Sequence, residues 1–214
     1  MDTAVSQRTN QGLRGAVGVA AALILFFALV AAIWRFKSHY DGIAKDRAEV
    51  AYIKGVLRGN RTGLTAAEEG RLAHHIHKES RAYSLDPIFI LALIQTESRY
   101  NNWSRSGKGA IGLMQILPDT GREVAETLRL PWKGKETLLN PYTNVKLGIH
   151  YYSALRGKFY NDTRDTLSAY NAGPSRVARG GASKTYAQRV LNNYKELKEG
   201  RDVPSSAESN SYGG

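Results

Sequence analysis

A run of seven apolar residues, Ile88 to Ile94, leaves little choice of fold for this chain. Asp86 and Pro87 precede the run as a helix N-cap and a first helical residue, so the segment predicts a helix that is apolar on every side. Such a helix must be buried inside a larger helical domain. Alternating strand patterns are missing from the sequence, and helical caps and periodicities recur from Thr65 to Leu197. We therefore predict an all-α fold.

Glu97 ends this predicted helix and is the strongest candidate for a catalytic residue. Helical spacing places its carboxyl group on the same face as Ile90, Leu93 and Ile94. A carboxyl group pressed against aliphatic side chains keeps its proton to higher pH, as a general acid requires. The alternative is a glutamate at a helix end that faces water. A residue with a perturbed pKa is not always part of a functional site. The segment by itself leaves both interpretations open.

Three sequence blocks follow Glu97 in a fixed order. The first is GAIGLMQILP after a polar loop, the second is NPYTNVKLGIHYYSAL at 140–155, and the third is LSAYNAGPSRVARG at 167–180. With these blocks the chain resembles the lytic transglycosylases of the Slt type, which share a lysozyme-like catalytic domain with the goose-type lysozymes. The resemblance covers roughly residues 72–194. It implies a mainly α-helical domain whose cleft lies between Glu97 and the Tyr170–Asn171 segment.

The resemblance also implies roles for individual residues of the cleft. Glu97 matches the catalytic acid of the family, and Ser106 matches a serine that lines the substrate cleft beside that acid. Leu117 stands where some relatives carry a methionine against the sugar ring, and either residue supplies an apolar wall. The pattern requires no metal and no cofactor.

Four further residues match functional positions of the family. Gln115 of GLMQ and the pair Tyr170 and Asn171 of AYNAG match residues that contact the sugar or hold the glutamate in place. Tyr186, in KTYAQRVL, matches a tyrosine that helps to close the site. By themselves, amides and phenols in a helical protein are usually satisfied core or surface groups, so these assignments depend on the resemblance.

The implied reaction is cleavage of the β-1,4 bond between N-acetylmuramic acid and N-acetylglucosamine with formation of a 1,6-anhydromuramic end, Glu97 acting first as acid and then as base. A hydrolase would ordinarily need a second carboxyl group. Asp119, Asp162 and Asp165 are the nearest acidic residues, but their PDT and NDTRDT contexts are typical of helix caps and turns. Two alternatives stay open: a lysozyme-type hydrolase of the same bond and a non-catalytic cell-wall-binding assembly factor.

Residues 16–33 carry no charge and are long enough to span a bilayer, with Trp34 as an interfacial aromatic. We predict that residues 1–37 form a membrane anchor, with a cleaved signal sequence and a secreted protein as the alternative. Arg35 and Lys37 follow the span, and the positive-inside rule alone would place the large domain in the cytoplasm. Because the implied substrate lies outside the cytoplasmic membrane, we instead predict a single-pass bacterial inner-membrane protein with a periplasmic catalytic domain.

The other domain boundaries follow from local patterns. Residues 38–64 are predicted as a juxtamembrane stalk, residues 65–197 as the lysozyme-like lytic transglycosylase domain, and residues 198–214 as a disordered tail. A capping box at Thr65 and Glu68 opens the domain. The formal net charge of +11 suits an anionic polymer such as peptidoglycan. No nucleic-acid-binding motif is present, so the predicted partners are peptidoglycan glycan strands, the membrane through residues 16–33, and envelope assembly machinery.

Overall fold

The computed structural model describes residues 2–181 and 184–202, and the side chains of 26–181 and 184–201. In this part of the chain, strand-like pairing is limited to two isolated bridges, Arg105–Ile111 and Ile111–Ile116, so the predicted all-α class is confirmed. The helices are α1 (Asp2–Arg58), α2 (Ala66–Ala82), α3 (Pro87–Ser98), α4 (Pro118–Thr127), a 3-10 helix (Lys135–Leu139), α5 (Pro141–Lys158), α6 (Thr163–Ala172), α7 (Pro174–Ala178) and α8 (Lys184–Asp202).

The chain divides into two compact units, Met1–Ala48 and Glu49–Gly214. The first unit consists of α1 up to Ala48. Part of the predicted anchor, residues 16–25, lies outside the residues whose side chains are described. Within residues 26–181 and 184–201, no helix combines the length and the apolar character needed to cross a membrane.

The second unit begins inside α1, within the segment predicted as a stalk. Three aliphatic residues at helical spacing are buried in the core of this unit: Val50, Ile53 and Leu57. Glu49 is only 5% exposed, and its carboxylate lies 2.6 Å from Arg81 of α2 and 3.4 Å from Arg201 of α8. From Glu49 onward the predicted stalk is therefore part of the folded domain. Burial of its apolar face, rather than exposure to water, lowers the free energy of the folded state.

The helix α3 is buried on every side, as its apolar sequence predicts. Ile88 to Ile94 are all buried, and the Asp86 side chain accepts a hydrogen bond from the Ile88 amide at 2.9 Å as the predicted N-cap. The helix packs against α2 and α8. The predicted capping box at Thr65 and Glu68 opens α2 and is confirmed. These contacts place the C-terminal end of α3, which carries Glu97, against α8.

The last helix is longer than predicted, because α8 continues to Asp202. The Tyr52 hydroxyl donates a hydrogen bond to the Leu197 carbonyl at 2.6 Å, and the Lys198 ammonium lies 3.3 Å from Asp86. These contacts with α1 and the start of α3 hold the final turns in place. Residues 198–202 are therefore helical rather than the start of a disordered tail, and residues 203–214 lie outside the described residues.

Candidate active site

Glu97 lies in the last turn of α3 with its side chain half-buried. The residues predicted to share its face are fully buried: Ile90, Leu93 and Ile94. Burial raises the pKa of Glu97 to about 7, and a hydrogen bond from Tyr186 and the positive charge of Arg189 oppose this rise. A carboxyl group with a pKa near neutrality can act as an acid and as a base at the same pH.

Tyr186, in the first turn of α8, donates a hydrogen bond from its hydroxyl to Oε1 of Glu97. Burial and the negative charge of Glu97 raise the pKa of Tyr186 well above its usual value, so the hydroxyl remains a donor. The guanidinium carbon of Arg189 lies 5.8 Å from the centre of the Tyr186 ring. Tyr186 therefore fixes the orientation of the Glu97 carboxyl group and stabilises its ionised form.

Tyr170 of α6 connects the AYNAG block to the GLMQ block. Its hydroxyl donates a hydrogen bond to the Met114 carbonyl at 2.8 Å, and its ring centre lies 5.5 Å from that of Tyr151. Burial, with a smaller effect of the Glu97 charge, raises the pKa of Tyr170 well above its usual value. Tyr170 is therefore close enough to Glu97 for the Glu97 charge to affect its pKa, and its hydrogen bond holds the backbone of the GLMQ turn.

Gln115 also holds this turn. It has a positive φ of 48°, and its amide nitrogen donates hydrogen bonds to the carbonyls of Ser104 and Gly112 at 3.1 and 3.0 Å. Both acceptors are backbone groups of the loop between α3 and α4. The amide nitrogen of Gln115 is therefore used to fix the loop, and contact of this residue with a sugar stays a prediction.

Three of the residues singled out from the sequence are exposed. The Ser106 hydroxyl accepts a hydrogen bond from the Ala110 amide at 3.0 Å, which closes the tip of the loop before GLMQ. Asn171 lies in the last turn of α6, and Leu117 is 45% exposed at the start of α4. Their exposure leaves these side chains accessible to a ligand, and their contacts with substrate stay predictions.

Asn144 of α5 is a positioning residue that the sequence interpretation did not identify. It is fully buried, and its Oδ1 accepts a hydrogen bond from the Met114 amide at 2.8 Å. Its Nδ2 donates to the carbonyls of Ile111 and Leu138, both at 2.9 Å. A Cβ atom at Gly112 would lie 2.3 Å from this Nδ2, so glycine is required there for close approach. In the sequence Asn144 is one of several polar residues of the second block, and nothing distinguishes it from the others.

The acidic residues considered as a second carboxyl group occupy helix starts. Asp162 caps α6 by accepting a hydrogen bond from the Asp165 amide at 2.8 Å. Asp119 lies in the first turn of α4 with its side chain 92% exposed and 3.9 Å from Arg122. These positions agree with the capping interpretation of the sequence.

More than half of this chain matches a known protein family. Residues 74–192 match the family described as Transglycosylase SLT domain. The membrane-bound lytic murein transglycosylase C of Histophilus somni is 38% identical over 113 residues, which are 49% of this chain and 31% of that protein. The soluble lytic murein transglycosylase of Salmonella typhimurium is 34% identical over 99 residues, 46% of this chain and 15% of the relative. The chain therefore spans less than a third of the length of these relatives.

Solved structures share the helical fold. An inactive mutant of the lytic transglycosylase Slt from Pseudomonas aeruginosa has a TM-score of 0.55 and 26% identity, covering 61% of this chain and 24% of its own. The 70 kDa soluble lytic transglycosylase from Escherichia coli has a TM-score of 0.53 and 25% identity, covering 64% of this chain and 27% of its own. The lysozyme-like, Slt-type fold expected from the sequence blocks is confirmed.

Proposed function

Because the chain belongs to the Transglycosylase SLT domain family, we propose that it is a peptidoglycan lytic transglycosylase. It cleaves the β-1,4 bond between N-acetylmuramic acid and N-acetylglucosamine and leaves a 1,6-anhydromuramic end. The observation that carries this proposal is the half-buried carboxyl group of Glu97, whose pKa of about 7 suits a group that gives up a proton and takes one back.

The reaction needs two proton transfers at Glu97. Protonated Glu97 first donates to the glycosidic oxygen as the bond from that oxygen to C1 breaks. The N-acetyl group of the substrate stabilises the positive charge that develops at C1, so no protein nucleophile is required. Ionised Glu97 then accepts the proton of the C6 hydroxyl of the muramic residue while O6 bonds to C1. Glu97 ends protonated, as it began, and no water is consumed.

The neighbouring residues support this cycle by position. The hydrogen bond from Tyr186 stabilises the carboxylate that exists between the two steps. Tyr170 holds the backbone of the GLMQ turn through its hydrogen bond to the Met114 carbonyl. Ser106, Gln115 and Asn171 supply neutral donors and acceptors suited to a polyhydroxylated, amide-bearing sugar.

The test is to incubate the full-length chain with purified peptidoglycan and to identify the released sugars by mass spectrometry. We expect anhydro-muropeptides. Reducing ends would identify a hydrolase instead, and the absence of any release would favour a binding function. Glu126→Gln, which changes an exposed glutamate on α4, is a matched control and should leave product formation unchanged.

Tyr186→Phe should lower the cleavage rate about 10- to 100-fold, because it removes a charge-assisted hydrogen bond that stabilises the ionised intermediate form of Glu97. The ring and its packing remain. The pKa of Glu97 should also rise, since the hydrogen bond favours the ionised carboxylate. Rates measured as a function of pH should therefore show the Glu97 titration moved to higher pH. An unchanged pH profile would show that the hydroxyl does not act through Glu97.

We also propose that residues 16–33 anchor the protein in the bacterial inner membrane, with the catalytic domain in the periplasm. The support is an uncharged segment of eighteen residues and a relative that is named as membrane-bound. In cell fractionation the protein should sediment with membranes and resist alkaline extraction, and protease added to spheroplasts should digest the domain. Recovery of a soluble form that lacks residues 1–37 would indicate a cleaved signal sequence. The envelope assembly machinery expected as a partner stays a prediction.

A further inference from the structure

Arg189 of α8 is an exposed arginine that lies over the ring of Tyr186, three residues before it on the same helix. Its guanidinium carbon is 5.8 Å from the ring centre, within the range of about 6 Å over which a cation and an aromatic face attract each other. Within the described part of the chain Arg189 takes part in no ion pair and no side-chain hydrogen bond. The Tyr186 ring is therefore the contact that holds the guanidinium group.

Tyr186 connects this cation to the candidate catalytic residue. Its ring carries the guanidinium group, and its hydroxyl donates a hydrogen bond to Oε1 of Glu97. The charge of Arg189 lowers the pKa of Tyr186 against the larger effect of burial, and a phenol of lower pKa is a stronger hydrogen-bond donor. The cation, the phenol and the carboxyl group thus form a chain in which each member polarises the next.

The indirect position of the cation matters for acid catalysis. An arginine paired directly with Glu97 would lower the pKa of the carboxyl group by about 1–3 and leave it ionised at neutral pH, which would make it a poor acid. The ring of Tyr186 instead carries the guanidinium group, and the pKa of Glu97 stays at about 7. A cation placed in this way can stabilise the carboxylate formed during the reaction without removing the proton beforehand.

Other groups near Glu97 leave this role to Arg189. From α6, the Tyr170 hydroxyl donates to the Met114 carbonyl and is held neutral by burial. The helix α2 also packs against α3, but within the described residues it supplies no group that shifts the pKa of Glu97. Arg99 and Glu196 line a groove together with Arg189, and neither of them shifts this pKa in the described part of the chain.

We propose that Arg189 is a positioning residue of the reaction, which acts through Tyr186 by strengthening the hydrogen bond from its hydroxyl to the ionised form of Glu97. The proposal rests on the proposed transglycosylase function, since the carboxylate that it stabilises is the intermediate form in that reaction. Arg189 has no contact with substrate in this role. Its replacement should therefore change kcat and the pH profile and leave KM unchanged.

Arg189→Gln in the full-length chain is the first test. We expect kcat to fall about 2- to 5-fold, the effect of one cation–π contact at an exposed site. Activity is lost as pH rises and Glu97 loses its proton, and this loss should move to higher pH by about 0.3–0.7. Arg189→Lys keeps the charge and should recover part of both effects. Lys195→Gln is the control, because it removes an exposed cation from the same helix. An unchanged pH profile in Arg189→Gln, or an equal change in Lys195→Gln, would overturn the proposal.

Two further measurements test the route through Tyr186. In the Tyr186→Phe background, Arg189→Gln should move the pH profile less than it does in the parent, because the hydroxyl that transmits its effect is gone. Equal movement in both backgrounds would show that Arg189 acts only as a distant charge, and would overturn the route. Raising the ionic strength from about 0.05 M to about 0.5 M should move the profile of the parent to higher pH and leave that of Arg189→Gln nearly unchanged, since salt screens an exposed charge.

A readout that needs no activity separates this proposal from the proposed function. The carboxyl carbon of Glu97 is followed by NMR as a function of pH in the parent, Arg189→Gln and Arg189→Lys. The midpoint should be higher in Arg189→Gln than in the parent, with Arg189→Lys between them. If the chain releases no anhydro-muropeptides but these midpoints differ as expected, the proposed function fails and the coupling of Arg189 to Glu97 stands. If it releases them and the midpoints are equal, the function stands and the coupling is overturned.

Discussion

Replacing Glu97 with glutamine should lower the rate of glycan cleavage by at least about 1,000-fold, because one group supplies both the acid and the base of the proposed reaction and each such role contributes about 100-fold or more. Glutamine keeps the shape of the side chain and can still accept the hydrogen bond from Tyr186. The measurement is kcat/KM for release of anhydro-muropeptides. Residual activity within tenfold of the parent would show that another group provides the proton.

The same substitution should stabilise the protein at neutral pH. The pKa of Glu97 is raised from an ordinary value of 4.5 to about 7. Between these values the folded state binds more protons than the unfolded state, so the Glu97 carboxyl group makes the fold less stable as pH rises from 4.5 to 7. Glutamine does not titrate and avoids this loss.

The difference in free energy of unfolding between the parent and Glu97→Gln, measured with urea, should therefore depend on pH. The two free energies of unfolding should be similar at about pH 4, where the Glu97 carboxyl group is protonated in both states. At about pH 8 the variant should be more stable by about 1–3 kcal/mol, a range reduced for the partial exposure of the site. A difference that does not change with pH would show that Glu97 titrates normally. Glu126→Gln, on an exposed face, should show no such pH-dependent gain.

Replacing Asn144 with alanine should lower the free energy of unfolding by about 3–5 kcal/mol, because three buried hydrogen bonds are lost and their backbone partners are left unsatisfied. The partners belong to the GLMQ turn and to the 3-10 helix before α5. Cleavage activity should fall as well, because the loss of Asn144 loosens the GLMQ turn. Tyr170 holds the same turn through the Met114 carbonyl.

The measurement is urea unfolding at a fixed pH, with Asn60→Ala as the control. Asn60 is exposed and donates one local hydrogen bond to the Val56 carbonyl at 2.8 Å, so its replacement should cost less than about 1 kcal/mol. A loss at Asn144 no larger than the loss at Asn60 would show that the turn does not depend on the buried amide.

Local sequence determines the features of this protein that depend on interactions between residues close together in the chain. The N-cap at Asp86, the capping box at Thr65 and the burial of α3 were predictable, since caps and helical periodicity act within a turn or two. The same periodicity places Glu97 on an aliphatic face. The three sequence blocks identified the family and drew attention to Tyr186. Composition alone predicted a disordered tail from residue 198. Contacts of α8 with Asp86 and Glu49 instead keep the chain helical to Asp202.

What the tertiary structure decided depends on residues that are far apart in the chain. Glu97 and Tyr186 are 89 residues apart, and only the packing of α3 against α8 brings the hydroxyl to the carboxyl group. The same packing sets the burial that raises the Glu97 pKa. Asn144 reaches the GLMQ turn from 30 residues away. A local pattern does not encode these distances, because they result from how whole helices pack around the core.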